Sequence, residues 1–467
     1  MNSAPFAPTQ TDTSAGGQWR NWSGTQQCRP QSVHRPANAE QIGKIVRTAV
    51  AEGSTVRPLG AGHSFTPVAT TNGHRVQLDS YTGLVKLDTE AQTVTVRAGT
   101  RLRDFPGLLR PHGYALANQG DVDPQSAAGA VSTGTHGTGL GFTGFAGMLK
   151  EFKIVGADGV EKRCFEGAEG DAGELFRLAR LGLGVFGVMS ELTFDCVPAF
   201  HLQANEFRQS FEEIRTGFVE RAHEVDHLEF FWFPGTDLTL TKENTRIPSS
   251  EVDIPETILQ KASRFGHIAD AIESTKTFVS EEVINNGGLL ALCELSKAMP
   301  KLTRQLNTIA GHTVSERKYL DEAHNVFVSP RRVRFAEMEY AIPLETLPEV
   351  LAEIRDTLTQ HNLYVSFPIE VRVAKHDDVA LSTAYGRDSA YIAIHRYWKE
   401  DYRPYFQLIE PILKAADGRP HWGKLHTLSN ADLRDRYPLF DEVAALRNKL
   451  DPTGVFLNPH LRELFIG

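Results

Sequence analysis

The sequence lacks the features that mark secreted, membrane-spanning and nucleic-acid-binding proteins. Its 467 residues contain only four cysteines, with no CxxC pair, so we expect reduced thiols in a reducing compartment. No apolar run approaches the roughly 20 residues that a membrane helix needs. The formal net charge is -9, and no block of lysines or arginines would follow a phosphate backbone. We therefore expect a cytoplasmic protein with no membrane span and no nucleic-acid partner.

The composition predicts a globular protein of two or three domains, since 41% of its residues are hydrophobic and 23% are charged. Residues 1–22 are rich in Ser, Thr, Pro and Gly and predict a flexible leader. Strand and helix patterns then alternate and change character near Phe200. This favours an α+β domain over residues 23–198, a second α+β domain over 199–430, and a C-terminal segment over 431–467.

A β-α-β unit opens the first domain. A short strand ends at Pro36, a helix follows, and Gly53 stops that helix before a second strand. The apolar residues at helical spacing are Ile42, Ile45, Val46, Ala49 and Val50. The later segments "RVQLD", "LVKLD" and "TVTVRAG" alternate apolar and polar residues, as strands do. Together they predict a mixed sheet.

Two motifs match known sequence patterns but lack the structural context that those patterns need. "GLGFTG", Gly139 to Gly144, fits the dinucleotide pattern G-x-G-x-x-G, but no strand precedes it and no strong helix follows. "HEVDH", His223 to His227, fits the zinc pattern H-E-x-x-H, but "LEFFWF" begins a strand immediately afterwards, so the two rings would point apart. We interpret the second motif as a helix-to-strand junction. A zinc-dependent hydrolase using His223 and His227 stays an alternative function, which bound metal would reveal.

The turn "RPLGAGHSF", residues 57–65, combines close-approach glycines with a histidine. Glycines let the backbone bend and approach a ligand, and successive N–H groups can form an anion nest for a pyrophosphate. The nest residues are Leu59, Gly60, Ala61, Gly62 and Ser64. His63 adds reactivity that phosphate binding does not need. A second glycine-rich stretch, from Ala115 to Gly147, is long enough to suggest a functional loop.

Three motifs in order, "RPLGAGHSF", "GAVSTGTHGTGLG" and "HWGK" (421–424), resemble the sugar-1,4-lactone and alditol oxidases of the vanillyl-alcohol oxidase superfamily. The resemblance extends from about Gln31 to the C-terminal "DPTGVFLNPHL". It implies a two-part FAD-binding domain of the vanillyl-alcohol oxidase (PCMH) type at 23–198, a substrate-binding cap at 199–430, and a return of 431–467 to the FAD domain. The implied activity is oxidation of a hydroxyl group of an aldonolactone or alditol by hydride transfer to flavin N5, with electrons passing to O2, which gives H2O2, or to another acceptor.

The resemblance also implies cofactor contacts. His63 takes the position of covalent FAD attachment, because a neutral imidazole can add to the 8α carbon of the flavin. The alternative is that His63 caps its own loop while FAD binds non-covalently. The second flavin-contacting segment would comprise Ser132, Thr135, His136, Gly137 and Gly139. His136 could equally be a structural histidine bonded to a carbonyl. Val188 would meet the adenine through its backbone.

Substrate chemistry is expected at Glu370, Arg372 and Lys424. Residues two apart on a strand share a face, so Glu370 and Arg372 can both point into a cleft. In the resembling enzymes they bind sugar hydroxyls beside flavin N5, and the lysine lies near flavin N1, where its charge would stabilise the reduced flavin. Glu370 is the nearest candidate proton acceptor.

Each of these assignments has a simpler alternative. Glu370 and Arg372 could form an exposed ion pair, and Lys424 could be a solvated surface lysine. His395, Tyr397 and His421 would line the substrate pocket, although ordinary core positions explain them nearly as well. A flavin-binding protein without turnover is a further alternative, if Lys424 and Glu370 lie away from the flavin ring.

Overall fold

The computed structural model describes residues 16–252, 286–329 and 331–467. It begins with an antiparallel hairpin of β1 (Trp19–Arg20) and β2 (Gln27–Cys28). The leader predicted over residues 1–22 therefore extends too far, because Trp19 is buried and paired within this hairpin. Residues 1–15 lie outside the described part.

A small parallel sheet follows the hairpin. Its elements are β3 (Ser32–His34), α1 (Ala39–Ala51), β4 (Val56–Leu59) and β5 (His74–Gln77). Asn38 caps α1 by accepting the N–H of Gln41, and Ile42, Val46 and Ala49 bury one face of the helix. The predicted β-α-β unit is confirmed. Its two strands are not neighbours, however, because β5 inserts between β3 and β4 and pairs with both.

An antiparallel sheet completes the first half of the chain, with strand order β10-β9-β11-β7-β6 and β8 beside β11. Its strands are β6 (Leu84–Asp88), β7 (Thr93–Arg97), β8 (Tyr114–Leu116), β9 (Leu149–Val155), β10 (Glu161–Phe165) and β11 (Val188–Pro198). The helices in this region are α2 (Phe105–Leu109), α3 (Ala127–Thr133) and α4 (Gly170–Ala179). The predicted mixed sheet is therefore wrong, because its parallel and antiparallel strands belong to two separate sheets.

An eight-stranded antiparallel sheet dominates the second half. In chain order its strands are β12 (Phe200–Ser210), β13 (His227–Trp232), β14 (Leu238–Pro248), β15 (Arg317–Glu322), β16 (Phe335–Pro343), β17 (Ile369–Ala374), β18 (Ser389–Tyr397) and β19 (Arg419–Pro420). They lie in the order β15-β12-β14-β13-β17-β18-β16-β19. The strands β16, β17 and β18 are buried along nearly their whole length, so any charged residue on them is held away from bulk water.

Helices flank this sheet and continue to the C-terminal end of the chain. They are α5 (Phe211–Ala222), α6 (Gly287–Ala298), α7 (Thr303–Thr313), α8 (Ala323–Phe327), α9 (Leu347–Gln360), α10 (Arg403–Ala415), α11 (Asn430–Arg436), α12 (Phe440–Leu450) and α13 (Pro459–Phe465). The segment before α13 contacts the parallel sheet, since Val56 N–H donates to Val455 O at 2.7 Å. The change of sheet between Pro198 and Phe200 coincides with the predicted boundary at 199.

The α+β class is confirmed by these sheets and helices. None of the helices in the described ranges has both the length and the apolar composition to cross a membrane.

Candidate active site

Two cavities meet at His63. The first encloses about 980 Å³, counting space open to solvent, and is lined by the 57–64 loop, the 125–133 segment and the 182–187 turn. The second encloses about 870 Å³ on the same measure and is lined mainly by β16, β17, β18 and the 421–424 turn. His63 and Ser64 line both. The glycine-rich motif thus stands at the junction of a loop-lined cavity and a strand-lined cavity.

Close backbone approach explains the glycines of the 57–64 loop. A Cβ on Gly60 would lie 2.7 Å from Ser126 Oγ, and one on Gly62, whose φ is +71°, would lie 3.0 Å from the Trp19 ring. Ser126 itself accepts the N–H of Gly129 and so begins α3. These contacts hold two backbone segments side by side along the first cavity, where larger residues would not fit.

His63 is held by the N-terminal hairpin. Its ring stacks on Trp22, with centroids 5.5 Å apart and planes 17° apart. The N–H of Trp22 donates to Gly62 O at 2.8 Å, and the Asn21 amide donates to Ser64 O at 2.9 Å. Burial lowers the pKa of His63 to about 4, and the charge of Lys424 adds to this decrease. The imidazole is therefore neutral at pH 7 and retains a lone pair.

Trp22 was missed in the sequence analysis, because it lies in the segment interpreted as a flexible leader. Only its aromatic character in a Ser/Thr/Gly-rich stretch could have suggested that this segment packs against the protein.

Glu370 and Arg372 share a face of β17, as their spacing predicts. Arg372 pairs with Glu370 and also contacts Glu229 at 2.9 Å and Asp121 at 3.4 Å. Arg331 pairs with Asp121 and lies 3.9 Å from Glu370. Glu370 is only 6% exposed, which excludes the alternative of an exposed ion pair.

The two carboxyl groups near Arg372 differ in electrostatics. Although burial raises the pKa of Asp121, Arg331 and Arg372 bring it well below its ordinary value. Burial raises the pKa of Glu370, and the charge of Asp121 adds to the rise, which Arg372 and Arg331 do not cancel. Asp121 is thus the fixed anion, whereas Glu370 is the carboxyl group that can take up a proton.

One oxygen of Glu370 is ion-paired but not hydrogen-bonded. Its Oε1 is buried against Arg372, and this contact lacks hydrogen-bond geometry, so Oε1 receives no hydrogen bond from any described residue. A buried carboxylate oxygen without a donor is costly unless a ligand or water supplies one. This oxygen is therefore suited to accept a hydrogen bond from a bound hydroxyl group.

The same sheet carries two acidic residues that the sequence analysis missed, two strands away from Glu370 on β16. Glu337 and Glu339 lie two apart on β16 and share a buried face. Lys424 pairs with Glu337 and lies 3.6 Å from Glu339. Burial lowers the pKa of Lys424, but the two glutamates raise it by more. Lys424 is consequently a paired cation in the second cavity and not a solvated surface lysine. Two glutamates at i and i+2 in the otherwise apolar "FAEMEYAIP" were the available signal.

His136 contacts a backbone carbonyl and a carboxylate. Its Nδ1 lies 2.8 Å from Gly137 O, and its Nε2 lies 2.7 Å from Glu339 Oε1. The ring stacks on Tyr391 at 3.7 Å between centroids. His136 thus makes the carbonyl contact of the structural alternative and also lines the second cavity, while its predicted flavin contact stays a prediction.

His421 is a neutral hydrogen-bond donor. Its Nδ1 accepts the N–H of Gly423 at 3.0 Å, so the ring proton lies on Nε2. Burial lowers its pKa to about 4, although Glu339 opposes this change. His136, Glu339 and His421 are close enough to bind a metal ion. Hydrogen bonds within the protein already engage both nitrogens of His136 and Nδ1 of His421, so we do not interpret the three residues as a metal centre.

Of the two predicted substrate residues on β18, one lines the second cavity and the other does not. His395 lines the second cavity, with Nε2 3.4 Å from Glu337 Oε1. Tyr397 lies outside the lining of both cavities, and its hydroxyl donates to Glu294 at 2.6 Å. Tyr397 is two residues further along β18, where the strand has passed the cavity.

The predicted cofactor residues also divide between cavity and core. Ser132 lines the first cavity, and Thr135 and His136 line the second. Gly137 and Gly139 line neither: a Cβ on them would meet Gln119 O and Asp226 O, so they serve close packing. The Val188 side chain is buried in the core, while the adjacent Gly187 and Met189 line the first cavity. The 182–187 turn was not among the predicted cofactor residues.

The two motifs set aside on sequence grounds have ordinary structural roles. Gly144 precedes a four-residue 3₁₀ turn and no α-helix, so "GLGFTG" is not a strand-to-helix phosphate loop. His223 is the exposed cap of α5, whereas His227 begins β13. The Nδ1 of His227 donates to Thr138 O, and its Nε2 accepts from Arg246. A zinc site at His223 and His227 therefore has no support.

Comparisons with known proteins agree with this geometry. A family model described as D-arabinono-1,4-lactone oxidase matches residues 192–464, and an FAD binding domain model matches 30–164. The chain is 37% identical to L-gulono-1,4-lactone dehydrogenase of Mycobacterium tuberculosis over 96% of this chain and 98% of that protein. It is 30% identical to L-gulonolactone oxidase of Bos taurus over the same shares.

The fold is also similar to a crystal structure of cholesterol oxidase from Brevibacterium sterolicum, with a TM-score of 0.74, 16% identity and 99% coverage of both chains. This likeness concerns the fold alone. With the sequence matches, it confirms the predicted resemblance and the two-part architecture of an FAD-binding domain and a second α+β unit. The chain belongs to the D-arabinono-1,4-lactone oxidase family of FAD-dependent oxidoreductases.

Proposed function

We propose that this protein oxidises a hydroxyl-bearing carbon of an aldonolactone or alditol, using FAD as the electron acceptor. The observation that carries the proposal is the junction at His63, where a glycine-lined cavity opens into a cavity that contains Glu370, Arg372 and Lys424. A cofactor lying in the first cavity and a polyol lying in the second would meet at that junction.

The first cavity fits an FAD. Gly60 and Gly62 bring the backbone to the cavity wall where a Cβ would collide with Ser126 or Trp19. Such a wall offers backbone N–H groups to a pyrophosphate without requiring a lysine. When bound, FAD supplies the two-electron acceptor for the hydride that leaves the substrate carbon.

The second cavity suits a polyhydroxylated substrate. Glu370 Oε1 is a buried acceptor that receives no hydrogen bond from the described residues, and His421, whose ring proton lies on Nε2, lines the same cavity. Arg372 and Lys424 add cations that neighbouring carboxylates hold in place. Sugar hydroxyl groups both donate and accept hydrogen bonds, so a wall that alternates the two is complementary to them.

Glu370 is our choice for the proton acceptor. A general base works best when its pKa lies near the working pH, and burial together with Asp121 raises the pKa of Glu370 towards that range. Lys424 stays protonated beside Glu337 and Glu339 and so contributes a positive charge to the cavity that this base lines. That charge would stabilise negative charge that develops during the reaction.

Covalent attachment of FAD through His63 is the second part of the proposal. The neutral imidazole has the lone pair that the reaction needs, and Trp22 holds the ring at the junction of the cavities. Non-covalent binding is the alternative. Replacing His63 with alanine distinguishes them: after denaturation, flavin should stay with the precipitated wild-type chain and leave the H63A chain. Flavin bound to precipitated H63A would contradict the link at His63.

The electron acceptor is tested together with the substrate. One of the two relatives is named a dehydrogenase and the other an oxidase, so we propose transfer to dioxygen, with release of peroxide, or to another acceptor. Purified protein would be screened with aldonolactones and alditols for peroxide, and again with an artificial acceptor. Turnover in the second screen alone would identify a dehydrogenase. No bleaching of the flavin by any of these compounds without oxygen would favour the alternative of a flavin protein without turnover.

The four free cysteines support a reducing, cytoplasmic location.

A further inference from the structure

Two arginines on neighbouring strands of the parallel sheet have opposite surroundings. Arg57 on β4 and Arg75 on β5 are paired across the sheet, and they are only 2% and 0% exposed. Arg57 donates to four backbone carbonyls, those of Val68, Leu183, Gly184 and Phe456. Its guanidinium is fully satisfied by the fold, which is how a buried arginine is normally accommodated.

Arg75 has almost none of these partners. Its Nη2 donates to Cys28 Sγ at 2.9 Å, while Nε and Nη1 are buried without a hydrogen bond. The face of Trp19 lies 4.8 Å from its guanidinium carbon. No carboxylate pairs with Arg75 within the described ranges. A guanidinium does not give up its proton in proteins, so a buried one needs an anion or several acceptors.

The Cys28 sulfur is the group positioned to supply that anion. A thiolate accepts hydrogen bonds far better than a thiol does, and nearby arginine favours the thiolate form. Burial lowers the pKa of Arg75, and contact with Cys28 opposes this decrease. A thiolate at Cys28 would balance the charge of the buried guanidinium, with which no carboxylate pairs in the described ranges.

The other three cysteines provide an internal contrast. Cys164, Cys196 and Cys293 are buried, whereas Cys28 is partly exposed. Burial raises the pKa of Cys164 to about 12, of Cys196 to about 11 and of Cys293 to about 12. These three are unreactive thiols of the core.

We propose that Arg75 holds Cys28 as a thiolate, which makes Cys28 a modification site for hydroperoxides and thiol-directed electrophiles. With hydrogen peroxide, the sulfur attacks one oxygen, the S–O bond forms, the O–O bond breaks and hydroxide leaves. The sulfur is oxidised by two electrons to a sulfenic acid and the peroxide is reduced. The inference does not depend on the substrate or acceptor of the enzyme.

One residue, Trp19, connects the Arg75–Cys28 pair to the 57–64 loop. The Trp19 ring that faces Arg75 also lies against Gly62, next to His63. Modification of Cys28 removes the anion that Arg75 contacts, so its effect would reach the loop through Trp19.

The test compares the four cysteines in one sample of the intact, flavin-loaded protein. Iodoacetamide labelling at pH 7 would be followed by peptide mass spectrometry, first in the folded protein and then in urea. An ordinary thiol is only about 3% ionised at pH 7, so full ionisation increases the thiolate fraction roughly 30-fold, partly offset by its lower nucleophilicity. We expect Cys28 to react roughly tenfold faster in the folded protein than in urea, and the other three to react only in urea.

A second measurement uses hydrogen peroxide followed by dimedone, which labels sulfenic acids. Label should appear at Cys28 in the wild type, decrease strongly in Arg75→Met and recover in Arg75→Lys, which restores a cation. The folded-against-urea comparison needs no variant and so decides the question even if Arg75→Met does not fold. Folded Cys28 reacting no faster than Cys28 in urea would overturn the proposal.

Discussion

The two cavities are built from different parts of the chain. The first is made mostly of backbone, from loops in which glycines remove side chains at points of close approach. The second is made of side chains, with Glu370 and Arg372 on β17, Glu337 and Glu339 two strands away on β16, and Lys424 on the 421–424 turn. The difference teaches that cofactor binding and chemistry can be damaged separately at residues that line only one of the two cavities.

The largest effect is expected in the second cavity, at Glu370. Replacing it with glutamine keeps the shape and removes the proton acceptor, so kcat should fall by about 10² to 10⁴-fold, as is typical for loss of a general base. Flavin content should stay at the wild-type level. Steady-state kinetics and the flavin absorbance of the purified protein measure the two quantities.

Glu353→Gln is the matched control, since Glu353 is exposed on α9 and carries the same change of charge. A Glu370→Gln enzyme with near-wild-type kcat would show that another group takes the proton.

A substitution at Gly60, in the first cavity, is expected to weaken FAD binding. An alanine there puts a methyl group 2.7 Å from Ser126 Oγ, and overpacking of this kind costs about 1–3 kcal/mol. If this cost falls on the FAD-bound form, Gly60→Ala should retain FAD roughly 5- to 150-fold less tightly. The measurement is flavin released on dialysis in a His63→Ala background, which removes the proposed covalent link.

Gly217→Ala, in the same His63→Ala background, is the control, because a Cβ at Gly217 on α5 meets nothing within 4 Å. If Gly60→Ala kept its flavin but lost substrate turnover, the division between the two cavities would fail.

A smaller effect is expected at Asp121, which tunes Glu370. The charge of Asp121 raises the pKa of Glu370, and Asp121 also competes for Arg331 and Arg372. Asp121→Asn should therefore lower the pKa of Glu370. Because the base works when deprotonated, activity rises with pH through this pKa, so the acidic limb of the kcat profile should move to lower pH by about one unit.

The pH profile distinguishes this role from simple loss of structure, which would lower kcat without moving the limb. Asp441→Asn, an exposed aspartate on α12, serves as the control. A limb that stays in place in Asp121→Asn would mean that Glu370 is not the group that titrates.

Local patterns account for what the sequence predicted. Alternation in "PIEVR" placed Glu370 and Arg372 on one face, and glycine spacing placed the 57–64 loop at a cavity. Asp121, Arg331 and Glu229 were missed, because they meet Arg372 from separate parts of the chain and no local period joins them. The mixed sheet was wrong for the same reason, since strand partners are set by packing over long range.

The smallest effect is expected at Trp22, where the hairpin meets the junction of the cavities. An aromatic stack contributes about 0.5–1.5 kcal/mol, so Trp22→Leu should slow covalent attachment of FAD by roughly 2- to 12-fold while leaving its non-covalent binding intact. Apoprotein given FAD would be sampled over time, and flavin fluorescence of the denatured chain would report the attached fraction. Trp398→Leu is the control, because Trp398 is an exposed tryptophan whose ring contacts Tyr397 and does not stack on His63. Equal rates of FAD attachment in the two variants would mean that the 57–64 loop orients His63 without help from the hairpin. The loop that lines the first cavity would then be sufficient to position His63.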